Sequence, residues 1–166
     1  MTQDSGDDGQ GGAGEAQPPL MVQAQYVKDL SFEAPAVPGI FNQLQQHKPD
    51  INIKVDVQAR PLAETQYEVV LHVHVECKAG PAVAFVAELA YGGLFVVNVA
   101  AADVKPVLLI ECPRLLFPFA RQIVAQTTMD GGFMPLMLAP IDFVQLYRRQ
   151  QAPSPVAADE GEARLV

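Results

Sequence analysis

The chain has no tryptophan and only two cysteines among its 166 residues. Cys77 and Cys112 are too few and too far apart for the disulfide lattice of a small secreted domain. Charge is also sparse. Charged residues make up 18% of the chain, and Lys and Arg number 11 against 19 Asp and Glu, for a formal net charge of -8 and a pI near 4.7. Binding to a phosphate backbone requires clustered cations that release counterions, so nucleic acid is excluded as a main partner and neutral or basic partners are expected. The N-terminus lacks a basic segment followed by an apolar stretch, and no apolar run reaches bilayer length, which predicts a cytoplasmic protein with no direct membrane insertion. Gly92 and Gly93 lack the flanking glycines and following helix of a phosphate loop, so neither ATP use nor a cofactor is expected.

What is present is apolar. Hydrophobic residues reach 49% and the mean hydropathy is +0.13, ample for the core of one domain. They are unevenly spread. Residues 1–19 carry Asp4, Asp7, Asp8 and Glu15 but no branched aliphatic or aromatic side chain, and cannot bury enough surface to offset ordering entropy. Residues 151–166, with Pro153, Pro155, Asp159, Glu160 and Glu162, have the same character. A disordered acidic arm, a folded domain over 20–150 and a disordered tail are predicted.

Strand patterns fill the first two thirds of that domain. Ile51, Ile53, Val55 and Val57 alternate with Asn52, Lys54, Asp56 and Gln58, which describes a half-buried strand. After a turn around Arg60, Pro61 and Ala63, Tyr67 to Lys78 alternates again, and the two form an antiparallel hairpin. Residues 82–98 load both faces and are expected to be covered twice, with a bulge or bend at Gly92 and Gly93. Val22 to Phe32 supplies another strand, ended by Pro35 and Pro38, and the four are expected in meander-like order.

Helical spacing follows. Asp103 is placed to cap a short helix through Ile110, and Pro113 to open a longer one carrying Leu116, Phe119, Ile123 and Thr127, stopped by Gly131 and Gly132. Asp142 is placed to cap a last helix from Phe143 to about Arg149, with Arg148 and Arg149 at the negative end of its dipole. Strands followed by helices give an α+β domain with a four-stranded antiparallel sheet. The run Cys112 to Arg121 is apolar around most of a helix circumference, more than a chain this short has elements to cover. Other copies of the chain are the expected cover, with Leu116, Phe119 and Ile123 at the interface.

Two catalytic or ligating arrangements can be drawn from the residues. Cys112 with His72 or His74 has the makings of a nucleophile and base, but no orienting group or oxyanion element accompanies them, and a packed, inert thiol is favoured. His72 and His74 share a strand face with Glu68 and Glu76, a pattern that a metal or a merely solvated face would explain; no metal is expected.

Four blocks in order carry a resemblance. Tyr26, Lys28 to Pro35, then Glu88, Gly92, Gly93 and Phe95, then Cys112, Pro113, Leu116 to Pro118, Ala120 and Arg121, then Leu138 to Pro140 with Phe143, resemble the SecB family of protein-export chaperones over about Val22 to Arg149. The resemblance implies a cytoplasmic homotetramer, a dimer of dimers, whose sheets pair and whose long helices lie between them. It implies an ATP-independent holdase, not an enzyme, that keeps unfolded precursor proteins translocation-competent and delivers them to the SecA ATPase. Asp29, Glu33, Val86 and Glu88 match the surface that receives the zinc-bearing, basic C-terminal tail of SecA, the zinc belonging to that partner. Phe32, Ile40, Phe41, Tyr91, Leu94 and Phe95 are candidates for the client groove, each of which ordinary core packing would also explain. One departure falls there: relatives often carry a Trp just before the position of Pro49, whereas this chain has His47 and an apparent two-residue insertion within Asn42 to Gln46. The alternative function is a tetrameric SecB-like protein for a small apolar ligand or one dedicated partner.

Overall fold

The computed structural model describes residues 16–152, so the predicted disordered arms lie almost wholly outside the described residues. Four long strands, β1 (Leu20–Glu33), β2 (Pro49–Pro61), β3 (Gln66–Ala79) and β4 (Ala82–Val97), form one antiparallel sheet in the order β1-β4-β3-β2. The β2–β3 hairpin runs in unbroken register from Pro49 opposite Ala79 to Pro61 opposite Tyr67. The order is not a full meander. β1 pairs with β4, and the chain then crosses the sheet to β2 at the far edge through a short helix, α1 (Ile40–Gln46), which the sequence patterns did not indicate.

The glycine pair does not mark a bulge. Gly92 and Gly93 sit in continuous register with both neighbouring strands, and the shifts fall elsewhere, at Gln23 and Lys28 of β1 and near Ala84 of β4. The glycines make room instead. A Cβ on Gly92 would lie 2.6 Å from the Tyr26 ring, and one on Gly93 would lie 2.5 Å from Phe95 and 2.9 Å from Leu116. β4 is one of the two inner strands, yet its cover is one-sided: Phe85, Ala87, Leu89, Tyr91, Phe95 and Val97 are buried toward the helices, while Val86, Leu94 and Val96 on the other face stay half-buried.

The first helical elements after the sheet follow one another without a break. α2 (Ala101–Pro106) passes through a π-helical turn, Val107–Glu111, into α3 (Cys112–Asp130). Pro113 has no N–H to return to the previous turn, and the wider π turn ends just before it. Asp103 lies inside α2 and makes no side-chain cap; Ala100 is the cap position. Gly131 terminates α3, and Gly132 takes a positive φ of 87°. Asp142 does cap α4 (Phe143–Gln151), accepting from the Gln145 N–H at 3.0 Å. Leu116, Ala120 and Val124 of α3 bury against β3 and β4, which closes the core on one face of the sheet.

Candidate functional site

The face of the sheet turned away from α3 carries the predicted partner residues. Strand register puts Glu33 opposite Val86, Ser31 opposite Glu88 and Asp29 opposite Ala90, so Asp29, Glu33, Val86 and Glu88 all share this face. The three carboxylates are exposed, which leaves them hydrated and open to a cation from outside. Glu88 lies between Ser31 and His74 in register, and its Oε1 is 2.9 Å from His74 Nδ1. A shallow groove of about 330 Å³ crosses the strands here, with Asp29, Asp56, His72, His74 and Glu88 in its lining.

Beside that groove the same face holds a buried acid. Glu68, 4% exposed, accepts hydrogen bonds from Tyr26 Oη at 2.7 Å, from Lys28 Nζ at 2.9 and 3.0 Å, and from Arg60 Nε. The Arg60 guanidinium, with Tyr26 and Lys28, holds its carboxyl down at about 2. Burial, together with the Glu68 carboxylate, pushes the Tyr26 hydroxyl up to about 12. This acid is therefore fully engaged and offers no free oxygen to a partner.

The helix-side face carries an apolar trench along β2. Its first hollow, about 340 Å³, is lined by Leu44 of α1, Ile51 of β2, Cys77, Phe85 and the segment Phe133 to Leu136. A second, about 370 Å³, follows with Ile53 and Val55 of β2, Leu138 to Asp142, and Gln145, Leu146 and Arg149 of α4. β2 is an edge strand that α3 does not roof, so Ile51 and Ile53 remain 40% and 41% exposed. Met134, 88% exposed, projects beside the first hollow. Behind the wall stands an aromatic cluster in which Phe133 meets Phe85, Phe41 and Phe32 at centroid distances of 4.9, 5.3 and 6.1 Å.

The six groove candidates do not form one groove. Phe32 and Phe41 support the trench wall through that cluster. Ile40 and Phe95 are fully buried and Tyr91 nearly so, because they belong to the protomer's own core, and Leu94 points to the opposite face in register with Glu68. The hollows are lined by Ile51, Ile53, Met134 and Leu136, none of which is among those candidates. The alternation of β2 named the correct face, and the run Phe133 to Met137 was a visible apolar signal, but nothing local says that β2 lies at an edge without a roof. The interface candidates also separate. Leu116 is fully buried against its own sheet at Gly93 and cannot face another copy, Ile123 is half-buried, and Phe119 is 47% exposed beside the exposed Leu115.

The thiol chemistry drawn from the sequence has no geometry behind it. Cys112, the first residue of α3, is fully buried, burial pushes its thiol up to about 12, and His72 and His74 lie on the other face of the sheet. Among the described residues no group of three or more His, Cys, Asp or Glu is arranged to hold a metal, and Glu68 and Glu76 are taken by cations. No helix among the described residues is long and apolar enough to cross a membrane.

Known proteins of similar sequence agree with this architecture. The family described as preprotein translocase subunit SecB matches residues 13–154. The chain is 50% identical to the protein-export protein SecB of Paramagnetospirillum magneticum over 88% of its length and 93% of that protein. It is 52% identical to the protein-export protein SecB of Parvibaculum lavamentivorans, covering 93% of this chain and 94% of that one. Among solved structures, a SecB-like chaperone of Mycobacterium tuberculosis in complex with a peptide from an antitoxin matches at a TM-score of 0.58 and 15% identity, over 75% of this chain and 91% of that chain, a likeness of fold.

Proposed function

The chain belongs to the SecB family, and from that premise we propose how the two faces of its sheet divide the work of a protein-export chaperone. The protein is a chaperone and not an enzyme; it binds unfolded precursors. Segments of those precursors lie in the trench along β2. The observation that carries this assignment is the pair Ile51 and Ile53, apolar side chains on the core-facing side of the sheet that the protomer leaves uncovered. Burying one large apolar side chain contributes about 1.5 to 3 kcal/mol, so a few anchors from a flexible chain offset its ordering without reading its sequence. The exposed Met134 at the rim suits varied guests, since an unbranched thioether repacks easily.

The opposite face receives SecA. Its basic, zinc-bearing C-terminal tail docks on Asp29, Glu33, Val86 and Glu88, three exposed carboxylates and a half-buried valine on one face of the sheet. Assembly is a homotetramer, a dimer of dimers, working in the cytoplasm. Two features support it. β1 is an edge strand of 14 residues whose outer side has no partner among the described residues, with Val27 and Leu30 exposed on its helix-side face, and α3 exposes Leu115 and Phe119. A client spanning several protomers gains effective concentration, which favours long unfolded chains over folded ones.

The test is direct. The purified protein is expected to have the native mass of four chains, to suppress aggregation of a slowly folding precursor at near-stoichiometric tetramer, and to bind a synthetic peptide copying the SecA tail. A single subunit indifferent to both ligands would sink the proposal.

A further inference from the structure

We infer that His74 is a positioning and specificity residue of the partner-docking face, which orients the Glu88 carboxylate when neutral and cancels its charge when protonated. The inference rests on the docking of a basic tail at Glu88 proposed above. Among Asp29, Glu33 and Glu88, Glu88 is the carboxylate with a side-chain partner among the described residues. That partner is the imidazole directly opposite it on β3, at 2.9 Å. An ionised carboxylate only accepts, so Nδ1 is the donor, Oε1 is fixed, and Oε2 is left for an incoming Lys or Arg. Backbone register holds the two residues together, so the contact does not depend on two long side chains finding each other.

Histidine is the side chain whose charge changes between pH 5 and 8. The donor to Glu88 is an N–H in both states, so the hydrogen bond survives protonation while the local net charge rises by one. Facing the pair are Asp29 and Glu33 from β1, Lys54 and Asp56 from β2, and His72, Glu76 and Lys78 from β3. Lys54 is the register neighbour of His74 on the side away from Glu88, so a protonated His74 would make two adjacent cations facing a basic ligand. Docking is then strong with neutral His74 and weaker with the imidazolium.

The probe is a zinc-loaded synthetic peptide copying the basic SecA tail, titrated against the full-length assembly at pH 7.5 and 5.5. Because the peptide's own groups also titrate, the readout is the ratio of the two affinities for the unaltered protein against the same ratio for His74→Asn, which keeps a donor without a titrating charge. The unaltered protein is expected to lose about two- to fivefold more affinity than His74→Asn on acidification, the scale of one exposed ion pair. His74→Leu is expected to bind more weakly already at pH 7.5. Equal ratios for the unaltered protein and His74→Asn would overturn the inference while leaving the docking site standing. If Glu88→Gln binds the peptide normally at pH 7.5, the docking proposal itself fails, and this inference with it.

Discussion

Tyr26 lays its ring over Gly92 and donates its hydroxyl to Glu68 at 2.7 Å, tying edge strand β1 to β3 across the strand between them. Lys28, at the bulge two residues on, and Arg60 of β2 reach the same carboxylate. One buried acid thus joins three of the four strands on the face that the helices do not cover. This placement explains both Gly92 of β4 and the aromatic residue opposite it.

Glu68→Gln is expected to lower unfolding free energy by about 1–3 kcal/mol at pH 7, since the three donors that converge on the buried carboxylate would then face a neutral amide. The carboxyl titrates at about 2 in the folded chain against 4.5 ordinarily, so its contribution is complete above pH 4.5 and is lost as pH falls from 4.5 toward 2. Urea unfolding at pH 7, 4 and 3 checks this: the variant should show a flatter acid dependence, and parallel curves would exclude the role given to Glu68.

Gly93→Ala is expected to destabilise the protomer by about 1–3 kcal/mol, because its methyl would meet the Phe95 ring and the Leu116 side chain. Combining it with Phe95→Leu should recover part of the loss. Equilibrium denaturation of the two single variants and the double variant measures the coupling, and strictly additive losses would refute the close packing.

Glu88→Lys is expected to abolish binding of the SecA-tail peptide while leaving client capture largely intact, because the charge lies on the face opposite the trench. Calorimetry with the peptide and light scattering with a precursor separate the two activities. Equal loss of both would show that the faces do not act independently.

Ile53→Asp is expected to weaken aggregation suppression several-fold with little change in stability, since the side chain is already 41% exposed in the free protein. Phe95→Ala, by contrast, removes a fully buried ring and is expected to cost about 3–5 kcal/mol of folding free energy. Thermal melts beside the scattering assay distinguish a groove residue from a core residue.

Leu116→Ala and Phe119→Asp should part in the same way. The first opens a cavity within the protomer and is expected to cost about 2–5 kcal/mol. The second alters an exposed side chain and should reduce native mass while the secondary structure persists. A tetramer unaffected by Phe119→Asp would move the interface off this part of α3.

Much of the architecture was legible in the chain. Period-two alternation in Ile51 to Val57 and in Tyr67 to Lys78 fixed which side chains share a face, because successive residues of a strand must point to opposite sides. Asp142 announced the last helix, and Gly131 and Gly132 the end of the long one, since caps and stops act over a single turn. Asp29, Glu33 and Glu88 were named through the family resemblance alone, and strand register puts them on one face. Strand order, roofing and reach were decided by tertiary structure. Pairing β1 with β4 made β2 an edge, left Ile51 and Ile53 uncovered, and sent Phe95 and Leu116 inward. Local patterns record the period of an element but not its neighbours. Whether an apolar side chain is core or binding surface depends on what the rest of the chain places over it, and that is set by contacts between residues far apart in sequence.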